Sequence, residues 1–400
     1  MKSNLFFDSK NLPLSKSEYI RALFISSFSN LPLEIKGESL ADDVQLTAAA
    51  LEAFKSGETV FQCGHSAALL RFLFFRVSRV PGNFKLMGSP SLLLRNHAEL
   101  LRLARILEFQ AEILSDHILI KSQGWRKPSS PIEIDLKNSS QFFSGLLLSS
   151  WNLGFDLEIK KSEDQVSTDY ALMTTSMLER VGWRYEESNN FIKIPSHQQP
   201  NTESKIFIES DLSCAFAMAA LAAASGKTLI ENFPLKSFQA DRRFVHILRQ
   251  MGVKVEINGT HLSVASDRLL GIDFNLSDSP DLFPVLAALC VGAEGASRLW
   301  GARHLKWKES DRIGKMHELI SLFGLELKIL DDGLEIFPNK IKNEVKLDKA
   351  FDCENDHRLA MAAAVLWHLG FKCPIANSSC VTKSFPDFWG RAQVPREYLL

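Results

Sequence analysis

Net charge is almost absent from this 400-residue chain: Lys+Arg 46 against Asp+Glu 47 leave a formal balance of -1. No global field draws such a chain to DNA, RNA or an anionic bilayer, so neither a nucleic-acid partner nor a membrane partner is expected. Cysteines number only six, and no two stand in a C-x-x-C pair, which removes the common zinc and redox-dithiol patterns and leaves buried free thiols in a reducing compartment as the expectation. Tyrosine is scarce, 4 against Phe 28, favouring apolar core packing over a stacking surface for bases or sugars. Long apolar runs are missing too. The stretch Cys214 to Ala224 is stopped at Ser225-Gly226, short of the ~20 residues a span needs. The opening MKSNLFFDSK has no apolar segment long enough for a signal peptide, so a cytoplasmic location is expected.

Familiar cofactor motifs are lacking as well. Gly226-Lys227-Thr228 imitates a P-loop, but Leu221 stands where a Gly is needed and the preceding AFAMAALAAAS reads as helix, with Gly226 as its C-cap. His317-Glu318 begins a zincin pattern and then offers Ser321 instead of the second His. No G-x-G-x-x-G occurs. Nicotinamide redox chemistry, P-loop ATP hydrolysis and zinc hydrolysis lose support together.

What is present is a recurring unit: an amphipathic helix, a turn, then two short alternating segments. It is clearest from Leu248 to Val264, where Asn258-Gly259 signals a two-residue hairpin. Leu103–Ile120, Leu178–Ile194 and Leu319–Ile336 read alike, a spacing of about 70 residues that suits a small helix-and-sheet subdomain. Weaker echoes at Leu51–Cys63 and Leu366–Ala376 raise the count to six. An α/β (α+β) protein of two domains with three units each is expected. The polar stretch Ser196–Ser204 marks either a linker or a surface loop.

Charged and hydroxyl-bearing clusters punctuate these units. Lys306 to Arg312 gathers three cations and two carboxylates ahead of an apolar helix, and Asn355-Asp356-His357-Arg358 opens another. Ser15-Lys16-Ser17 and Ser139-Ser140-Gln141 put hydroxyls at helix starts, where free backbone N–H groups hold phosphates, though capping alone accounts for either. Asp281 heads a further apolar helix, whose dipole favours its ionised form.

In order, S-K-S-x-x-x-R (Ser15–Arg21), A-D-D (Ala41–Asp43), Gly64–Leu73 ending L-R-F-L, Arg95, S-S-Q-F (Ser139–Phe142), Tyr170, E-x-D-x-S (Glu209–Ser213), P-D (Pro280-Asp281), K-E-S-D-R (Lys308–Arg312), D-H-R-x-A-M (Asp356–Met361) and K-S-F-P-D-F (Lys383–Phe388) resemble the motif series of the 5-enolpyruvylshikimate-3-phosphate synthase family over nearly the whole chain. The resemblance implies the enolpyruvyl transferase fold, an inside-out α/β barrel. One discontinuous domain (1–14 plus 210–400) and one inserted domain (15–209) would flank an active-site cleft, and the protein would act as a monomer. It also implies transfer of the enolpyruvyl group of phosphoenolpyruvate to the 5-hydroxyl of shikimate 3-phosphate, with neither a metal nor an organic cofactor, since the cations are side chains. Phosphoenolpyruvate would be held by Lys16, Arg95, Gln141, Arg312, Arg358 and Lys383, and shikimate 3-phosphate by Lys16, Ser17, Arg21, Ser139, Ser140, Gln141, Ser167, Asp281 and Lys308. Catalysis would fall to Asp281 as base towards the hydroxyl, Glu309 as acid and base at the methylene carbon, and Lys16 at the departing phosphate, the division between the two carboxylates being open.

Two departures stand out. Leu14 replaces the family's Gly beside Lys16, and Ala67 sets a methyl where a Gly usually lets the backbone approach the ligand, so weak inhibition by the bulkier glyphosate is expected. The sister enzyme acting on UDP-N-acetylglucosamine is the nearest rival, but it lacks the K-E-S-D-R and D-H-R pair. A catalytically impaired, ligand-binding relative is the other, against which every charged catalytic position is filled.

Overall fold

A computed structural model describes residues 5–31, 33–136, 139–165, 168–188, 191–339 and 343–400. The chain divides into two compact units, Met1–Pro13 with Glu209–Leu400, and Leu14–Ile208.

In the discontinuous unit, strand Leu5–Ser9 lies parallel to Gly226–Ile230, which runs antiparallel to His261–Ala265, the second arm of a hairpin with Lys254–Asn258. Alternation sets the faces: Leu262 and Val264 point inward while their neighbours meet solvent. A second sheet, Asp273–Asn275, Ser297–Trp300, Gly333–Ile336 and Leu327–Leu330, repeats this order. Helices Leu212–Ser225, Phe283–Cys290 and His357–His368 pack on one another beneath the sheets. They are apolar on nearly every face, and their Ala-rich surfaces permit close approach, as befits helices surrounded by protein.

The inserted unit carries the same sheet twice, as Val60–Gln62, Pro81–Met87, His117–Gln123, Gln110–Ile113, and as Ile132–Leu136, Leu157–Gln165, Phe191–Ile194, Glu186–Ser188. A short parallel pair, Glu34–Lys36 with Lys205–Phe207, adds to them. Phe24, Phe72, Phe74 and Phe75 fill its core, with Phe24 edge-on to Phe72 at 5.5 Å.

Among the described residues, all four of these sheets begin with a parallel pair and end in an antiparallel hairpin, and the four expected helix-and-hairpin units are their second halves. The two weaker echoes are different. Helix Asp42–Lys55 leads to the single strand Val60–Gln62, which pairs with Pro81–Met87. Phe371–Lys372 and Ile375–Ala376 pair with Val345–Lys346 and Phe351–Asp352 rather than with each other. Pro374 sits between them, without an N–H, and its carbonyl accepts from Phe351 N at 2.8 Å.

Two turn readings also shift. Asn258 pairs with His261, so the hairpin turn is Gly259-Thr260, with Gly259 at φ 56°. Gly226 ends its helix in extended backbone, φ -169°, not in a left-handed cap; a Cβ there would stand 2.2 Å from Leu5 O, so glycine is required by the adjoining strand.

Candidate active site

In the discontinuous unit, K-E-S-D-R straddles a helix start. Asp311 caps Arg312–Ser321 by accepting from Gly314 N at 3.1 Å, which turns the Arg312 side chain inward, where it is 1% exposed. Its guanidinium is surrounded by carboxylates. Nε donates to Asp356 Oδ2 at 2.8 Å, one terminal nitrogen to Asp281 Oδ1 at 2.7 Å, and the other to Glu309 Oε2 at 2.8 Å. Asp356 is fully buried, caps helix His357–His368 through Arg358 N at 3.0 Å, and takes a further bond from Ser310 Oγ at 3.1 Å. Arg358 returns to Asp281, donating to Oδ2 at 3.0 Å and to its carbonyl at 3.3 Å. Lys383 donates to the carbonyl of Asn355, beside Asp356.

The electrostatics follow from this packing. Burial alone would raise the Asp281 carboxyl, but Arg358, Lys308 and Arg312 overcome it and hold the group well below the carboxylate range. Burial likewise opposes the Arg312 charge, and Asp356, Glu309 and Asp281 more than restore it. His304, in the turn Arg303–Trp307, is lowered to about 3 by burial and then by Lys308 and Arg312, against the pull of Asp281, so its ring is neutral at physiological pH. Asp281 itself lies on a single 3-10 turn, Pro280–Leu282, one step outside the helix it was expected to head. The three cations, more than a helix dipole, keep it ionised.

In the inserted unit, Ser15 caps helix Lys16–Ser26, accepting from Glu18 N at 3.4 Å. Lys16 Nζ meets Asp43 Oδ2 at 2.9 Å, joining S-K-S to A-D-D. Ser17 gives its carbonyl to Arg21 at 2.8 Å. The Arg21 guanidinium is buried and also donates to Thr174 Oγ1 at 2.7 Å and Ser144 Oγ at 3.3 Å. Burial lowers it to about 10, with Tyr170 and Glu18 opposing, so it remains a cation at neutral pH. Ser140 sits at the start of helix Gln141–Leu148 without a side-chain capping bond, so the capping explanation fails for that hydroxyl. Ser139 Oγ accepts from Gln141 N at 3.2 Å. Arg95 is half-buried in the turn after Pro90–Leu93. Ser167 lies outside the described residues.

Two residues escaped the reading of the sequence. Arg71 donates to Gln141 Oε1 at 2.7 Å, Ser139 Oγ at 3.2 Å and Asn96 O at 3.4 Å, and stacks on Phe142 at 4.7 Å, so one side chain ties two expected ligand segments, Ser139–Phe142 and the turn at Arg95, together. The L-R-F-L segment contained it, yet an Arg inside an apolar helix reads as packing. Asp241, in the charged turn Ala240–Arg243, is buried, accepts from Ser213 Oγ, and is raised to about 7 by burial, with Arg358 opposing and Asp281 adding to the rise. Its neighbours Arg242 and Arg243 give it no local signal beyond that of a charged turn. Among the described residues no cluster of His, Cys, Asp and Glu suits a metal ion, and no helix is long and apolar enough to cross a membrane.

Known proteins resemble this chain over nearly its whole length. The family model for EPSP synthase (3-phosphoshikimate 1-carboxyvinyltransferase) matches residues 13–391. A 3-phosphoshikimate 1-carboxyvinyltransferase of Dehalococcoides mccartyi is 30% identical, over 94% of this chain and 93% of its own length. One from Methanopyrus kandleri is 31% identical over the same shares. EPSP synthase of Acinetobacter baumannii superposes with a TM-score of 0.75 at 22% identity, over 98% of this chain and 96% of its own. The enolpyruvyl transferase NikO of Streptomyces tendae gives 0.67 at 16% identity, over 98% and 94%. The fold is therefore that of the enolpyruvyl transferases, and the chain belongs to the EPSP synthase (3-phosphoshikimate 1-carboxyvinyltransferase) family.

Proposed function

We propose that this chain transfers the enolpyruvyl group of phosphoenolpyruvate to the 5-hydroxyl of shikimate 3-phosphate, and that the Asp281–Arg312–Glu309 network performs the proton transfers. The observation that carries the assignment is one buried guanidinium bonded at once to both candidate acid–base carboxylates, at 2.7 and 2.8 Å.

The chemistry requires a proton delivered to the methylene carbon as the hydroxyl oxygen attacks the adjacent carbon. The resulting tetrahedral adduct then loses phosphate and a methyl proton, regenerating the double bond. Asp281 is ionised and ready to accept the hydroxyl proton, yet Arg358, Lys308 and Arg312 make it a weak base. An anionic substrate drawing on Arg312 and Arg358 relaxes that hold, so the basicity of Asp281 rises when phosphoenolpyruvate arrives. Glu309 is assigned the methylene carbon. Its carboxylate shares Arg312 with Asp281, which orients both groups about one cation. Arg358 and Lys383 extend this group towards the phosphoenolpyruvate anions.

The inserted unit's share is anion binding. Lys16 is assigned to the departing phosphate, and Ser17, Ser139, Ser140, Gln141 and Arg21 to shikimate 3-phosphate, with Arg71 positioning Ser139 and Gln141. Arg21 bonds neutral oxygens of Thr174, Ser144 and Ser17, so hydrogen bonding leaves its positive charge unneutralised.

Phosphate release from phosphoenolpyruvate with shikimate 3-phosphate as acceptor tests the reaction, with UDP-N-acetylglucosamine as the contrasting acceptor. Glu309→Gln keeps an acceptor for Arg312 but cannot exchange protons, so kcat is expected to fall by about 10²–10⁴ while both substrates still bind by calorimetry. A Glu309→Gln enzyme turning over at the wild-type rate removes Glu309 from the chemistry.

A further inference from the structure

The discontinuous unit holds a pair of thiols that the transfer chemistry does not use. The sulfurs of Cys353 and Cys380 lie 3.6 Å apart, both side chains are buried, and neither is in a disulfide. Backbone pairing brings them together. Phe351 and Asp352 lie in register with Ile375 and Ala376, so the chain leaves that ladder into Cys353 on one side and into the 3-10 helix Ser378–Lys383, which carries Cys380, on the other. Cys353 Sγ also reaches the carbonyls of Ala376, at 3.0 Å, and Asn377, at 3.4 Å.

The location matters because each cysteine stands one short step before a residue assigned to the site. Asp356 and Arg358 follow Cys353, and Lys383 follows Cys380. The same two segments are joined by Lys383 on the Asn355 carbonyl and by Ser384 Oγ with His357 Nε2 at 3.2 Å. We propose that Cys353 and Cys380 form a reversible disulfide when the protein meets a hydroperoxide, and that this bond weakens the hold on phosphoenolpyruvate. The linkage stands by itself; its effect on substrate rests on the function proposed above.

The step balances. One thiol gives up its proton and, as thiolate, takes a hydroxyl from the peroxide, whose O–O bond breaks; the departing oxygen recovers that proton and leaves as water or an alcohol, and the cysteine becomes a sulfenic acid. The second thiol displaces that hydroxyl as water, and the two sulfurs leave oxidised by two electrons. Closing the sulfurs from 3.6 Å to about 2.05 Å demands a displacement that a close-packed interior passes along the chain. On the Cys380 side the 3-10 helix carries it to Lys383, and on the Cys353 side the turn through Glu354 and Asn355, both at positive φ, carries it to the Asp356 cap. The hydrogen bond with Cys353, and then burial, push the Cys380 thiol up against the pull of Lys383, so the linkage forms slowly and answers sustained exposure.

The test treats the full-length protein with hydrogen peroxide, blocks remaining thiols, and maps peptides without reductant. The expected result is a peptide joining Cys353 to Cys380, together with a rise of about tenfold in KM for phosphoenolpyruvate at little-changed kcat, reversed by dithiothreitol. Both effects should vanish in Cys380→Ser and in Cys380→Ala, the second guarding against a folding defect of the first. Unlinked, singly oxidised cysteines, a link to Cys214 instead, or a linked protein with unchanged KM would each overturn the proposal. An untreated protein without turnover breaks the functional reading instead, while the peptide map still decides the linkage.

Discussion

The two units hold their buried arginines in opposite ways. Arg312 faces three carboxylates, those of Asp281, Glu309 and Asp356, whereas the hydrogen bonds of Arg21 go to the neutral oxygens of Thr174, Ser144 and Ser17. The first arrangement is a charge-compensated network whose protons can be redistributed. The second compensates the cation with no hydrogen-bonded carboxylate, as its proposed role in holding a substrate anion requires. Burial is nearly equal in the two, so the nature of the acceptors, and not solvent exclusion, separates the proposed proton-handling site from the proposed anion-holding one.

Removing each arginine should break this contrast most visibly. Arg312→Met strands three carboxylates around a vacated site, and we expect a loss of about 3–5 kcal/mol in unfolding free energy by denaturant titration. Arg21→Met leaves hydroxyls that still bond one another, Thr174 Oγ1 to Ser144 Oγ at 2.8 Å and to Tyr170 O at 2.9 Å, so only about 1–2 kcal/mol should be lost. Equal losses would show that the two sites are electrostatically alike.

A smaller effect sharpens the anion-holding side. Lysine cannot reproduce the fork by which Arg71 reaches Gln141, Ser139 and Asn96, so Arg71→Lys should raise substrate KM by about tenfold with kcat largely kept. A fall in kcat at constant KM would move Arg71 from positioning to chemistry.

The smallest effect concerns the proton-handling side. His304 titrates at about 3 when folded, below its unfolded value, so between that value and about pH 6.5 the unfolded chain binds more protons and stability rises with pH. The stabilisation is complete above the unfolded value and is lost as pH falls towards the folded one. His304→Gln should flatten the dependence between pH 6.5 and 5 by up to about 1.4 kcal/mol per pH unit, read from unfolding curves at the two values. An unchanged slope would mean that other groups carry it.

Much of this was legible in the sequence because local physics wrote it there. The helix-and-hairpin units announced themselves through period and turn residues, and K-E-S-D-R and D-H-R marked segments that meet around Arg312. What escaped depends on distant partners. Gly226 and Gly333 look like cap and turn glycines, but a Cβ on either would strike the backbone of another strand, Leu5 O at 2.2 Å and Leu299 O at 1.8 Å. Arg71 and Asp241 were hidden for the same reason: an Arg in an apolar helix and an Asp in a charged turn acquire roles only from Gln141 and Ser213, about 70 and 28 residues away.

The parallel pairing of Leu5–Ser9 with Gly226–Ile230 imposes a timetable on synthesis. The first strand emerges from the ribosome more than 200 residues before its partner, and the whole of Leu14–Ile208 appears in between. The inserted unit can therefore collapse around its phenylalanine core while the other unit is still a short N-terminal segment with an unpaired edge. Phe7, fully buried in the finished fold, has its strand partner Thr228 only once that segment has been made. The discontinuous unit can close only after Gly226–Ile230 has been made, a long-range pairing of the kind that topology makes slow to form.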